Sequence, residues 1–274
     1  MHTVNAHGAA IPALGFGTFR MPGADVLRMV PAVLGLGYRH IDTAQIYGNE
    51  AEVGEAVASS GIPREAVFLT TKVWVEHYRH ADFLRSVDES LRKLRTDHVD
   101  LLLLHWPSDK VPLAEQIDAL NAVRDAGKTR HIGVSNFSTG LMAEASRLSR
   151  APLVTNQVEW HPYLDQRVLR DAAREAGISL TAYYAMADGK VFDDAVLKDM
   201  AATHGVSVAQ VVLRWLIQHQ GTIALSKTVS EERARSNAAI FDFALTIDQM
   251  HAIDALARPD GRIVNPPGLA PVWD

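Results

Sequence analysis

The run AVFLTTKV (residues 66–73), followed by ADFLRSVDESLRKL (81–94) and then VDLLLLHW (99–106), decides how this chain folds. The outer two segments are short, rich in β-branched residues and leucine, and barely alternate between apolar and polar positions. That pattern belongs to strands buried on both faces. Between them Phe83, Leu84, Val87, Leu91 and Leu94 recur at helical spacing, which makes an amphipathic helix with one apolar stripe. Strand, helix and strand in this order form the parallel β/α unit, whose crossover helix covers the sheet.

The unit repeats outward in both directions. Further strand candidates are ALGFGTF (13–19), YRHIDTA (38–44), TRHIGVSN (129–136), LVTNQVEW (153–160), ISLTAYYA (178–185) and TIALSK (222–227). Helical patterns occupy 25–37, 49–60, 113–126, 141–148, 166–176, 207–218 and 246–257. Several are closed by glycine, a common helix stop, and Thr246 with Gln249 has capping-box spacing. Eight such units in 274 residues imply an α/β fold, a closed (β/α)8 TIM barrel. An open doubly wound sheet would normally carry a G-x-G-x-x-G turn after its first strand. Neither GFGTFR (15–20) nor GLGYRH (35–40) fits that pattern. No long polar or Pro/Gly-rich linker interrupts the chain, so residues 1–274 read as one domain. The opening HTVNAHGAAIPAL (2–14) reads as two short strands about the turn Asn5-Ala6-His7-Gly8, a β-hairpin capping the barrel floor.

Composition narrows the function classes. The chain has no cysteine, which excludes disulfides, a thiol nucleophile and cysteine zinc sites. A net charge of −5 provides no global basic field for nucleic acid or a membrane surface. No apolar stretch approaches the ~20 residues of a membrane span, and MHTVNAHGAA has no charged region followed by an apolar run. The expectation is a cytoplasmic protein with no nucleic-acid, membrane or metal partner, acting on a small molecule.

The unusual polar residues fall at strand ends: Asp42, Lys72, His105, Ser135 with Asn136, Asn156 with Gln157 and Glu159, Tyr183 with Tyr184, and Lys227. In a parallel barrel these ends open on one face, where active sites lie. A buried lysine is costly unless paired, and Asp42 on the neighbouring strand is the natural partner of Lys72. Tyr47 lies five residues after Asp42, where the chain can curl back over the mouth. Beside an ammonium its phenol should ionise more easily than a free phenol of pKa ~10. His105 adds a second hydrogen-bond donor. The group suits carbonyl reduction, in which hydride at carbon puts negative charge on oxygen. Tyr47 and His105 can hydrogen-bond that oxygen, and Tyr47 can protonate it.

The runs GYRHIDTAQIYGNEAEVGEA (37–56), TTKVW (70–74), DLLLLHWP (100–107), IGVSNF (132–137) and NQVEWHPY (156–163) resemble, in order, the motifs of the aldo-keto reductase family. The resemblance covers nearly the whole chain and implies an oxidoreductase. It places Asp42, Tyr47, Lys72 and His105 in the catalytic tetrad. It assigns Ser135, Asn136 and Gln157 to the nicotinamide carboxamide and Tyr183 to stacking under the ring. Gly17, Thr18 and Asp42 fall near the cofactor. LSKTVSEERARSN (225–237) resembles the adenosine-phosphate clamp, with Lys227, Thr228, Arg233 and Asn237 in it, which implies NADPH (NADP+). Phe19, Trp74, His105 and Trp106 are the expected substrate walls, and a monomer is the family's default. The ending GRIVNPPGLAPVWD (261–274) and the segment YYAMADGK (183–190) resemble the bacterial 2,5-diketo-D-gluconate reductases of the B type, which also reduce methylglyoxal.

The chain departs from the family at several points. Phe19 stands where tryptophan is frequent, YYAMA replaces YSPLG, and Ser226 and Ser236 replace a proline and an acidic residue. The tail after Ala257 is short, which implies a more open pocket. Two other classes fit parts of the pattern. A Schiff-base lyase would use Lys72 or Lys227 as its amine. A catalytically slow barrel would bind NADPH as a sensor or partner subunit.

Overall fold

The computed structural model describes residues 2–274. Eight parallel strands close into a barrel: β3 (Leu14–Gly17), β4 (His40–Asp42), β5 (Phe68–Val73), β6 (Val99–Leu104), β7 (Thr129–Ser135), β8 (Leu153–Glu159), β9 (Ser179–Tyr183) and β10 (Thr222–Ser226), with β10 returning to pair with β3. All eight fall inside the segments expected from sequence. The leucine run of β6 shows why its pattern does not alternate. Leu101 and Leu103 pack inside the barrel, while Leu102 and Leu104 pack outward beneath the helices. Both faces are dry, so both carry leucine.

A hairpin of β1 (Thr3–Ala6) and β2 (Ala9–Pro12) caps the floor. His7 and Gly8 turn it with φ of 46° and 86°, the left-handed pair that a tight two-residue hairpin requires. Ala6, Ala9 and Ile11 then close the barrel bottom against Leu101, Leu103, Val154 and Ile223.

The outer layer is α1 (Gly23–Gly35), α2 (Glu50–Ser59), α3 (His80–Leu94), α4 (Leu113–Asp125), α5 (Thr139–Leu148), α6 (Arg167–Glu175), α7 (Ala195–His204), α8 (Val208–Gln218), α9 (Glu231–Ala238) and α10 (Ile247–Asp254). The α3 stripe behaves as its spacing implies, with Phe83, Val87, Leu91 and Leu94 buried. The capping box Thr246–Gln249 is formed. Two helices are additional to the sequence reading. In α7 only Leu197, Met200 and Ala201 are buried, too narrow a stripe to stand out, and the Asp194 side chain starts it by accepting from the Val196 and Leu197 amides. α9 is short and mostly charged. Among the described residues no single helix is long and apolar enough to cross a membrane.

Helix packing is close enough to demand glycine at one crossing. A Cβ on Gly54 of α2 would lie 2.5 Å from the Lys93 carbonyl oxygen and 2.5 Å from the Leu94 carbonyl carbon of α3. Both are backbone and cannot swing aside. Gly54→Ala is therefore expected to destabilise the fold by ~1–3 kcal/mol through overpacking. A urea titration should show a lower midpoint with an unchanged slope; an unaltered midpoint would contradict this packing.

Candidate active site

Asp42 ends β4, and Lys72 lies near the end of the adjacent β5. Lys72 is fully buried. Its Nζ donates to Asp42 Oδ1 at 2.6 Å, to the Thr43 carbonyl at 2.8 Å and to the Tyr47 hydroxyl at 3.3 Å. Three acceptors for three ammonium protons are what such burial demands. The second Asp42 oxygen, Oδ2, accepts from Gln157 Nε2 at 2.8 Å, which ties β4 to β8 across the barrel. His105 follows β6, with its amide donating to the Val73 carbonyl at 3.2 Å.

Tyr47 ends a short 3-10 turn, Gln45–Tyr47, closed by Gly48 at φ 70°. Sequence motifs named the tyrosine but not its braces. Asn49 donates to the carbonyls of Thr18 (2.9 Å) and Met21 (3.1 Å) and accepts from Thr43 Oγ1 (3.0 Å). Gln45 Oε1 accepts from the Trp74 amide at 2.9 Å, and its Nε2 donates to Ser90 Oγ at 3.1 Å. Glu50 is buried and accepts from Thr71 Oγ1 at 2.7 Å. The only sequence signal for these was an Asn-Glu pair directly after the turn. The Tyr47 ring is held between Phe19 (centroids 5.0 Å) and His105 (5.6 Å), and Trp74 packs edge-on against His105 at 5.2 Å.

The electrostatics correct one expectation. Lys72 does not make the Tyr47 phenol more acidic. Withdrawal from water, and then the Asp42 carboxylate, push it well above the ordinary tyrosine value. Asp42, expected as the partner of Lys72, also places its negative charge near the phenol, and burial itself lowers the Lys72 pKa. Tyr47 therefore enters as a fully protonated donor. His105 moves the other way. Burial, then the Lys72 charge, hold its imidazole well below the ordinary histidine range, so it is neutral at pH 7. Its Nδ1 is buried with no partner.

The residues expected around a nicotinamide also converge. Ser135 Oγ donates to the Gln157 carbonyl at 2.7 Å. Asn136, at φ 65°, donates to the His105 carbonyl at 3.0 Å, and Tyr183 donates to Asn136 Oδ1 at 2.6 Å. Gly17 is buried, and a Cβ there would meet nothing nearer than the Ser226 carbonyl oxygen at 3.9 Å. Thr18 follows Gly17 at the end of β3. It is buried, and its hydroxyl donates to the Asp42 carbonyl at 3.1 Å, so it fastens β3 to β4.

Lys227 directly follows β10, and Arg233 lies in the first turn of α9. Both are exposed, and among the described residues neither makes an ion pair. Arg233 thus has no salt bridge to Glu231 or Glu232. Thr228 and Asn237 lie buried beside them. Of the expected substrate walls, Phe19 is 44% exposed and Trp74 is half-buried. Trp106 is only 6% exposed, with Trp273 of the tail packed edge-on against it at 6.4 Å. The short tail was expected to leave the pocket more open. Instead it reaches across this side, and the surface there belongs to Trp273.

Comparison with known proteins agrees with this geometry. The pattern of the aldo/keto reductase family matches residues 13–258. Methylglyoxal reductase DkgB of Salmonella typhimurium is 45% identical over 96% of this chain and 99% of its own. A crystal structure provisionally named a 2,5-diketo-D-gluconic acid reductase B is 67% identical, covers 100% of this chain and 98% of its own, and superposes with a TM-score of 0.99. A variant of Gox0644 in complex with NADPH is 33% identical over 96% of each chain, with a TM-score of 0.89. With the tetrad motifs gathered at one barrel mouth and the family pattern running through all eight strands, the chain belongs to the aldo/keto reductase family of oxidoreductases.

Proposed function

We propose that the protein reduces small aldehydes and ketones to alcohols with NADPH, on substrates of the methylglyoxal and 2,5-diketo-D-gluconate kind. The observation that carries this reading is the chain Asp42–Lys72–Tyr47, at 2.6 and 3.3 Å, with a neutral His105 beside it. When bound, NADPH supplies the hydride. Tyr47 and His105, with ring centroids 5.6 Å apart, can both donate to one carbonyl oxygen. Donors fixed before the reaction stabilise charge as it develops there. Tyr47 keeps its proton until that oxygen is basic enough to take it, and Lys72 then faces the phenolate left behind.

The residues present fit the cofactor. Two exposed cations without carboxylate partners, Lys227 and Arg233, suit a ribose 2′-phosphate. Ser135, Asn136 and Gln157 already bond within one cluster, so a carboxamide would exchange for bonds of the same kind. The names of the relatives support the substrate class. Schiff-base chemistry at Lys72 is disfavoured, because its amine has three acceptors and no exposure.

The test is oxidation of NADPH by methylglyoxal, followed at the nicotinamide absorbance band. A barrel that merely binds NADPH would show no turnover. The pH profile is a second arm. Folding lowers the His105 pKa and raises that of Tyr47, so neither group titrates near neutrality. The free-enzyme profile of kcat/KM should be flat from about pH 6.5 to 8.5. A bell centred near 7 would contradict these assignments.

A further inference from the structure

A groove of about 350 Å³ lies at the floor of the barrel, at the opposite strand ends from the tetrad. Three parts of the fold build it. Thr3, Val4 and Asn5 come from β1. Arg170, Ala173 and Arg174 share one face of α6, being three and four residues apart. Residues 178–180 and 220–222 lead into β9 and β10. The hairpin turn is tied to the end of α6, with His7 Nε2 3.0 Å from the Ala176 carbonyl oxygen.

Two observations point to a ligand. The first is a hydroxyl. Thr222 is 1% exposed, and its Oγ1 is the only hydroxyl among the described residues that is buried without a hydrogen-bond partner. Buried polar groups are almost always paired, and the neighbouring hydroxyls obey this. Ser179 Oγ donates to the Val154 carbonyl at 2.7 Å, and Thr155 Oγ1 to the Ser179 carbonyl at 3.1 Å. The second is surplus positive charge. Arg170 and Arg174 share one carboxylate, Asp171, at 3.8 and 3.2 Å. Arg170 Nη1 also donates to His219 Nδ1 at 3.0 Å, which fixes the plane of its guanidinium. A guanidinium held in this way offers its remaining N–H groups in the fork that a carboxylate fits. Ala173, Ile178 and Leu180 give the same groove an apolar surface.

From this arrangement we propose that the floor groove is a second binding site, for a small polyhydroxy carboxylate of the sugar-acid class. The carboxylate pairs with Arg170 and Arg174, a ligand hydroxyl partners Thr222 Oγ1, and the carbon chain lies on Ala173, Ile178 and Leu180. Bound there, the acid bridges the hairpin, α6 and the start of β10, and it stabilises the fold by mass action. The groove shares no residue with the barrel mouth: Thr222 begins β10, whereas Lys227 follows its end. The site therefore stands independently of the reductase reading.

The probe is D-gluconate, titrated by calorimetry into the full chain and followed in parallel by thermal melting. At about ten times its Kd it should raise the melting temperature by about 3 °C. Sorbitol has the hydroxyls without the carboxylate, and inorganic phosphate has the charge without the carbon chain. Each should bind at least about tenfold more weakly. Arg174→Ala, at an exposed position, should weaken gluconate by about tenfold or more, the effect of a lost charged hydrogen bond. Thr222→Val keeps the shape and removes the hydroxyl. It should weaken gluconate by about fivefold, while the melting temperature without ligand stays level or rises because no unpaired hydroxyl is left. In both variants kcat and KM for methylglyoxal should stay within about twofold. Failure of gluconate to bind, or sorbitol or phosphate binding as tightly, would overturn the proposal. So would gluconate affinity untouched by both substitutions, which would put the acid in the mouth instead. A lower melting temperature in Thr222→Val would show that the hydroxyl is already partnered and would also overturn it. The binding readouts need no turnover, so an inactive enzyme would sink the reductase reading and leave this site standing.

Discussion

Replacing Tyr47 with phenylalanine is expected to lower kcat by about 10²–10⁴-fold while leaving NADPH affinity unchanged, the range typical of a lost general acid. The size of the effect follows from how little else the hydroxyl does. The ring is held by Phe19 and His105, contacts that phenylalanine keeps. Lys72 loses its 3.3 Å contact but retains Asp42 and the Thr43 carbonyl, so the buried ion pair stays intact. The variant should therefore fold and bind cofactor normally, and the loss should appear in the chemical step. His105 can still hydrogen-bond the developing oxyanion, which leaves residual turnover rather than none. Steady-state rates with methylglyoxal, beside a fluorescence titration of NADPH, read the two quantities separately. Full turnover in Tyr47→Phe would remove this residue from the acid role.

The second large effect concerns cofactor choice. Lys227→Ala combined with Arg233→Ala should weaken NADPH by roughly a hundredfold or more, since each charged hydrogen bond contributes ~1.5–3 kcal/mol. NADH lacks the 2′-phosphate, and its affinity should change by no more than about threefold. Both side chains are exposed and free of carboxylate partners, so their removal leaves no buried charge behind and little cost in stability. Exposure also makes the preference sensitive to salt, because exposed charges are screened within ~8 Å at physiological ionic strength. Equal losses for NADPH and NADH would refute the assignment to the 2′-phosphate.

Much of the site could be read from the chain because burial makes strong local demands. An ammonium at the end of an apolar strand needs a carboxylate, and the one on the preceding strand supplied it at 2.6 Å. Parallel strands in a barrel put their C-terminal ends on one face, so residues as distant as Asp42 and Gln157 could be expected together, and they meet at 2.8 Å. The direction of the Tyr47 pKa could not be read in this way. It depends on how completely water is removed and how far Asp42 cancels Lys72, and neither quantity exists before folding. Likewise α7 and α9 have narrow or charged faces that carry little periodic signal.

By itself the sequence determined the period of strands and helices, the hairpin over the floor, and which side chains reach the barrel mouth, because each follows from local spacing and from the cost of burying a polar group. Tertiary structure alone decided that Trp106 is covered, that Thr18 is tied into the sheet, and that Glu159 grips the tail. The partners of Glu159 are backbone amides at Ile263 and Val264. Every residue except proline has such an amide, so the sequence holds no mark of which ones a distant carboxylate will bind.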